Sequence, residues 1–224
     1  MQGMISSLAF FFIHEPMNPE PKNNLFKDFQ ALLKGINSVF VTMKQDFPDE
    51  VRCEQGCTDC CNACYDVSFV EAAYIHSNID TVVRDRSVMD RIISRAKQAK
   101  KDFEEKLESL PPKERDREHL LEHMARWRIV CPLLTDEKTC AMYEYRPVTC
   151  RVYGLPTSIG GKGHVCGYSG FDTGKTYPSV KLDRIWKYLV ALSAGVAEKL
   201  TEIESNNGRK RFFLHDIILE WPRK

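Results

Sequence analysis

The chain has 224 residues, with 32 Lys+Arg against 31 Asp+Glu, 43% hydrophobic residues and nine Cys. That length carries one domain with a substantial core or two small ones, and falls short of a barrel enzyme with a second domain. A formal charge of +1 gives no electrostatic basis for general nucleic-acid or membrane-surface binding. The longest apolar run, Ser7 to Ile13, is far short of the ~18 residues of a membrane span. With no basic residue ahead of it and no small-residue cleavage pattern behind it, this run is also a poor export signal. A cytoplasmic protein without a membrane or nucleic-acid partner is expected.

In chain order, residues 1–23 read as a loose arm, with Met17 an alternative start. An apolar stripe then runs through Leu25, Phe29, Leu32, Leu33, Ile36, Phe40, Met43 and Phe47. Its steps of three and four predict a helix capped by Asn24 and stopped by Pro48. After a cysteine-rich stretch, Ser68 and Glu71 form a capping box opening a helix that reaches about Ser77. Val88, Ile92, Ala96, Ala99, Phe103 and Leu107 mark a further helix that ends before Pro111 and Pro112. A charged helix over roughly Glu114 to Arg128 follows. Residues 131–171 lack a sustained period and predict turns, a small hairpin and one short helix with Pro147 in its first turn. Leu182, Ile185, Trp186, Leu189, Val196, Leu200 and Ile203 restore a strong helical period, which breaks at Asn206-Asn207-Gly208 before Phe212 to Trp221. No strand-helix alternation supports a doubly wound sheet. The expected fold is mainly α: helices packed around an irregular, metal-stapled cysteine-rich core at 53–64 and 131–166, in one helical domain over 24–224.

The cysteines carry the chemistry. An odd number of them without an export signal argues against a disulfide framework. Four thiols within Cys53 to Cys61, with further cysteines in the irregular region, match the soft donor sets that close on zinc or an iron-sulfur cluster. Reduced, buried structural cysteine is the bland reading, and it does not account for such crowding. Joining Cys61 to Cys131 closes a loop of about seventy residues at roughly 4 kcal/mol, beyond a constant, whereas thiolate metal binding supplies about 10 to 16 kcal/mol. Adjacent side chains diverge in a regular backbone, so Cys60 and Cys61 are not expected to serve one tetrahedral ion.

The segments CEQGCTDCC (53–61), VSFVEAAYI (67–75), CPLLTDEKTCAMYEYRPVTCRVYG (131–154) and GKGHVCG (161–167) resemble the CxxxCxxCC cysteine-cluster family, described as zinc- or iron-chelating domains. The resemblance implies eight metal ligands: Cys53, Cys57, Cys60, Cys61, Cys131, Cys140, Cys150 and Cys166. Cys64 lies outside that pattern, as a bystander or substitute ligand, and Gly167 stands where the family has Pro. Arg146 and Arg151 are candidate cofactor-binding residues that hydrogen-bond sulfurs or nearby carbonyls; substrate-anion binding and simple charge balance are the alternatives. Some relatives of this cluster occur in lysine methylases. The expected function is therefore an iron-sulfur or iron protein of redox or electron-transfer type. A zinc-structured interaction module and a methylase-like enzyme are the alternatives, and the protein partner or substrate is unknown.

Other motifs have blander readings. Cys53, Cys57 and Cys60 match radical S-adenosylmethionine spacing, but the chain lacks the barrel that chemistry needs. His119, Glu122 and His123 match a zinc-peptidase pattern on a charged helix, where an exposed surface pair is expected. Gly160-Gly161-Lys162-Gly163 reads as a flexible turn rather than a phosphate cradle, and Arg209-Lys210-Arg211 as a solvated loop.

Overall fold

The computed structural model describes residues 25–172, 174–201 and 209–220. The N-terminal arm, the Asn24 cap, the Asn206-Asn207-Gly208 break and Trp221 lie outside them. The described residues are mainly helical, and no helix among them is long and apolar enough to cross a membrane. Two compact units divide the stretch over which one helical domain is expected: residues up to Cys53 with Val148 to Arg209, and Glu54 to Pro147 with Lys210 onward.

In the first unit, α1 (Lys27–Asp46) buries Phe29, Leu33, Ile36 and Met43 from the predicted stripe. Phe26, rather than Asn24, is its cap residue, and Phe47 closes the last turn by donating its N–H to the Met43 carbonyl. Pro48, which has no N–H, then forbids continuation. The short helix α2 (Val148–Val152) follows Pro147 directly, buries Val148, Arg151 and Val152, and packs on α1. Strands β2 (Thr157–Ile159), β3 (Lys162–His164) and β4 (Val180–Lys181) form a sheet ordered β3-β2-β4. Gly160 and Gly161 turn the β2–β3 hairpin with φ of +56° and +78°, the doubly left-handed turn that matches strand twist. The helix α3 (Leu182–Thr201) buries Leu182, Leu189, Leu192 and Val196.

The second unit begins with β1 (Val67–Ser68), paired antiparallel with β5 (Arg211–Phe212). Helix α4 (Phe69–Val82) opens on the predicted capping box. The Glu71 carboxylate accepts the Ser68 N–H at 2.7 Å and the Ser68 hydroxyl at 2.6 Å. Its apolar run through Ile75 and Ile79 carries it to Val82, past the expected end near Ser77. Helix α5 (Arg86–Glu108) buries Met89, Ile92, Ala96, Ala99 and Phe103 and ends before the prolines, as predicted. Helix α6 (Arg117–Met124) is shorter than the expected Glu114–Arg128, because Pro112–Glu114 form a 3-10 turn and Asp116 caps the helix. The final helix, α7 (Leu214–Leu219), lies against α5 and contributes Ile217 and Ile218 to its core.

Ser68 and Glu71 are both buried, so losing the carboxylate orphans a dry N–H. Glu71→Ala is expected to cost about 2 kcal/mol of unfolding free energy, read as a lower denaturant midpoint. An unchanged midpoint would contradict the role of the cap.

His215 on α7 is buried and stacked on Phe213 at 5.3 Å. Burial holds its pKa below the ordinary 6.5, with Asp216 opposing and Lys100 assisting. The unfolded chain therefore binds the extra proton first, and stability present above about pH 6.5 is lost as pH falls toward the depressed folded pKa. Asp216, raised by its burial, gains stability as pH falls through its own range and so works against this decline. Thermal midpoints should fall between pH 7 and pH 5, and His215→Phe should flatten that decline. An equal slope in both proteins would exclude His215 as its source.

A candidate metal-binding thiol site

In the second unit, main-chain pairing brings together cysteines from segments far apart in sequence. Cys60–Asn62 form a 3-10 turn, closed by Cys61 N–H to Thr58 O at 3.0 Å and Asn62 N–H to Asp59 O at 3.0 Å. Past it the chain runs antiparallel to 128–131. Ala63 bridges Arg128, Ile129 N–H donates to Asn62 O at 3.0 Å, and Cys131 N–H donates to Cys61 O at 2.7 Å. Arg128 adds an ion pair to Asp59, the residue before Cys60. That carboxylate is 9% exposed.

Cys131 opens a turn closed by Leu134 N–H to Cys131 O at 3.1 Å, and the chain doubles back so that Leu134 bridges Cys140. This is the small hairpin predicted for the irregular region. Lys138 sits in the left-handed region at φ 58° in its tip, where Thr135 N–H and Thr139 O close the loop at 2.8 Å.

The pairing sets the main chains of Cys61 and Cys131 side by side, and the turn sets Cys140 opposite Leu134. The Cys60 contact, burial and the neighbouring sulfurs push the Cys61 thiol well above the ordinary cysteine range. Burial first, and Cys140 next, push Cys131 up to about 12. Burial likewise raises Cys140.

The main chain opposes this penalty. The N–H groups of Leu133 and Leu134 act to lower Cys131, and that of Met142, with the Arg146 charge, acts to lower Cys140. Donors aimed at sulfur stabilise thiolates, and a bound cation would reverse the mutual repulsion of the thiols. Arg146 is held over the Tyr143 ring at 3.6 Å, with its Nε donating to Tyr143 O at 3.0 Å. As the site stands, no group of three or more His, Cys, Asp and Glu side chains among the described residues is arranged to hold a metal ion.

The remaining cysteines differ in setting. Cys57 is exposed. Cys64 packs with the Phe103 and Met124 core, where burial and then Asp66 push its thiol to about 12. In the first unit, the Cys53 sulfur sits over Gly154 and leaves no room there for an added Cβ. Cys150 is the third residue of α2. Cys166 accepts the Tyr168 N–H at its sulfur at 3.4 Å. Arg151, also in this unit, donates from Nη1 to Asn37 Oδ1 at 2.9 Å.

The alternative motifs resolve simply. His119 Nδ1 pairs with Asp116 at 2.6 Å and His123 Nε2 with Glu114 at 3.1 Å, so each imidazole has its own carboxylate and the two do not converge on an ion. The glycine run forms the β2–β3 turn. Arg211 departs from the solvated loop expected for it: its side chain is 15% exposed and bound to Asp66 at 2.7 Å. Comparison of the chain with protein-family models, with curated proteins and with solved structures finds no match.

Proposed function

We propose that the protein is a metal-chelating cysteine-cluster protein, with Cys60, Cys61, Cys131 and Cys140 as ligands of an iron-sulfur centre of redox or electron-transfer type. The observation that carries this reading is the hydrogen-bonded pairing of 61–63 with 128–131, which sets the Cys61 and Cys131 main chains side by side. An all-sulfur set is the donor chemistry of iron-sulfur clusters, which supply one-electron chemistry when bound. Main-chain N–H groups that favour the thiolate at Cys131 and Cys140 suit ligands in that role, and such donors raise the potential of an iron centre. Arg146 is the cation placed to balance the site. Cys53, Cys57, Cys150 and Cys166 are further candidate ligands in keeping with the CxxxCxxCC resemblance.

A second reading, structural zinc, has one observation in its favour. The main-chain pairing of Cys61 with Cys131 suits one sulfur from each segment sharing one tetrahedral ion.

Anaerobic purification followed by metal and acid-labile sulfide analysis tests both. Iron with sulfide, and visible absorption bleached by dithionite, is the expected result. A colourless protein with stoichiometric zinc would replace it with the second reading. Purification without bound metal, and no uptake from added iron and sulfide or zinc, would overturn both.

A further inference from the structure

The second unit holds a cavity of about 230 Å³ at the foot of α6, built from residues the thiol site does not use. Its polar wall is Asp66 with Arg115, Arg117 and Arg211. Arg211 grips the Asp66 carboxylate at 2.7 and 3.0 Å and its carbonyl at 3.0 Å, and Arg117 reaches the other carboxylate oxygen at 3.2 Å. Arg115 is tied by Nε to Leu110 O at 3.0 Å and by Nη2 to Glu108 O at 2.8 Å. The opposite wall is apolar: Leu120, Leu121, Met124 and Phe213. Met124 is buried, and Phe213 is held between Phe103 at 4.4 Å and His215 at 5.3 Å. Leu121 is 46% exposed, an uncovered apolar side chain beside a basic wall.

Three guanidinium groups face one carboxylate, which leaves two positive charges uncompensated by the lining. Hydrogen bonds already hold Arg115 and Arg211 in place, so little of their side-chain freedom remains to be lost on binding. A dianion matches the surplus, and the apolar wall calls for a hydrophobic body attached to it. The volume lies below the roughly 300 Å³ at which drug-sized ligand sites begin, so the ligand is small. We propose that this cavity binds an organic monophosphate, the phosphoryl group on Arg115 and Arg117 and its apolar body on Leu121 and Phe213.

The test is a titration of the full chain, as purified, with phenyl phosphate, inorganic phosphate and phenol, followed by amide and arginine side-chain NMR signals. Saturable shifts at Arg117, Arg211 and Phe213 are expected with phenyl phosphate, weaker binding with inorganic phosphate and none with phenol. Arg117 is a surface side chain with one hydrogen bond to Asp66, so Arg117→Gln should fold and bind phenyl phosphate about tenfold more weakly. Leu121→Ala should weaken phenyl phosphate and leave inorganic phosphate unchanged. The absence of saturable shifts at these residues, or unchanged affinity in Arg117→Gln, would overturn the site. Equal binding of phenyl and inorganic phosphate, unaffected by Leu121→Ala, would overturn the organic ligand.

Discussion

Cys60→Ser is expected to abolish metal binding and lower stability in one step, with the largest effect of any single substitution in the chain. Cys60 opens the 3-10 turn against which the 128–131 segment pairs, and the proposed site places its sulfur among the ligands. A serine oxygen is a poor soft-metal ligand, and an opened thiolate shell forfeits much of the roughly 10 to 16 kcal/mol that structural thiolate metal binding supplies to folding. The expected outcome is sub-stoichiometric metal and a lower unfolding midpoint in the purified variant. Cys64→Ser is the control, because Cys64 packs against the Phe103 core; it should keep the metal and lose only packing. Full metal retention in Cys60→Ser, or equal loss in both variants, would remove Cys60 from the centre of the site.

Arg128→Ala should weaken metal binding without removing a ligand. Asp59 is 9% exposed and depends on Arg128 for its ion pair, so truncating Arg128 leaves a nearly buried carboxylate without that cation. Because the Arg128 side chain is half exposed, water recovers part of the loss, and a cost of about 2 kcal/mol is expected in place of the full penalty of a buried pair. The pair also fixes the residue before Cys60 to the strand leading to Cys131. Removing a support of that kind typically lowers metal affinity about 10- to 100-fold. Chelator competition, with Arg128→Lys as the partial rescue, measures it. An Arg128→Ala protein with unaltered affinity would show that the loop holds its register through the main-chain bonds alone.

Helix positions were legible in the sequence wherever a long apolar period met a strong local signal. Phe29 to Met43 and Met89 to Phe103 lie on one face at helical spacing and are buried on it, Ser68 and Glu71 form their cap, and Pro48 and Pro111 stand where helices have stopped. Ends without such a signal drifted: α4 ran on to Val82 because Ile79 still found core, and α6 contracted where Pro112–Glu114 tightened into a 3-10 turn. Cysteine crowding pointed to soft-metal chemistry from composition and spacing alone, because thiols are rare enough for four in nine residues to carry meaning.

Which thiols meet was a tertiary decision. Cys61 and Cys131 come side by side through antiparallel pairing of backbones about seventy residues apart, and no local period records a pairing whose hydrogen bonds are made by main-chain groups common to every residue. The same holds for Arg211, which read as part of a solvated basic run until β5 paired with β1 and delivered it to Asp66. Local spacing determined what each segment could become, and long-range main-chain pairing decided which side chains would share a site.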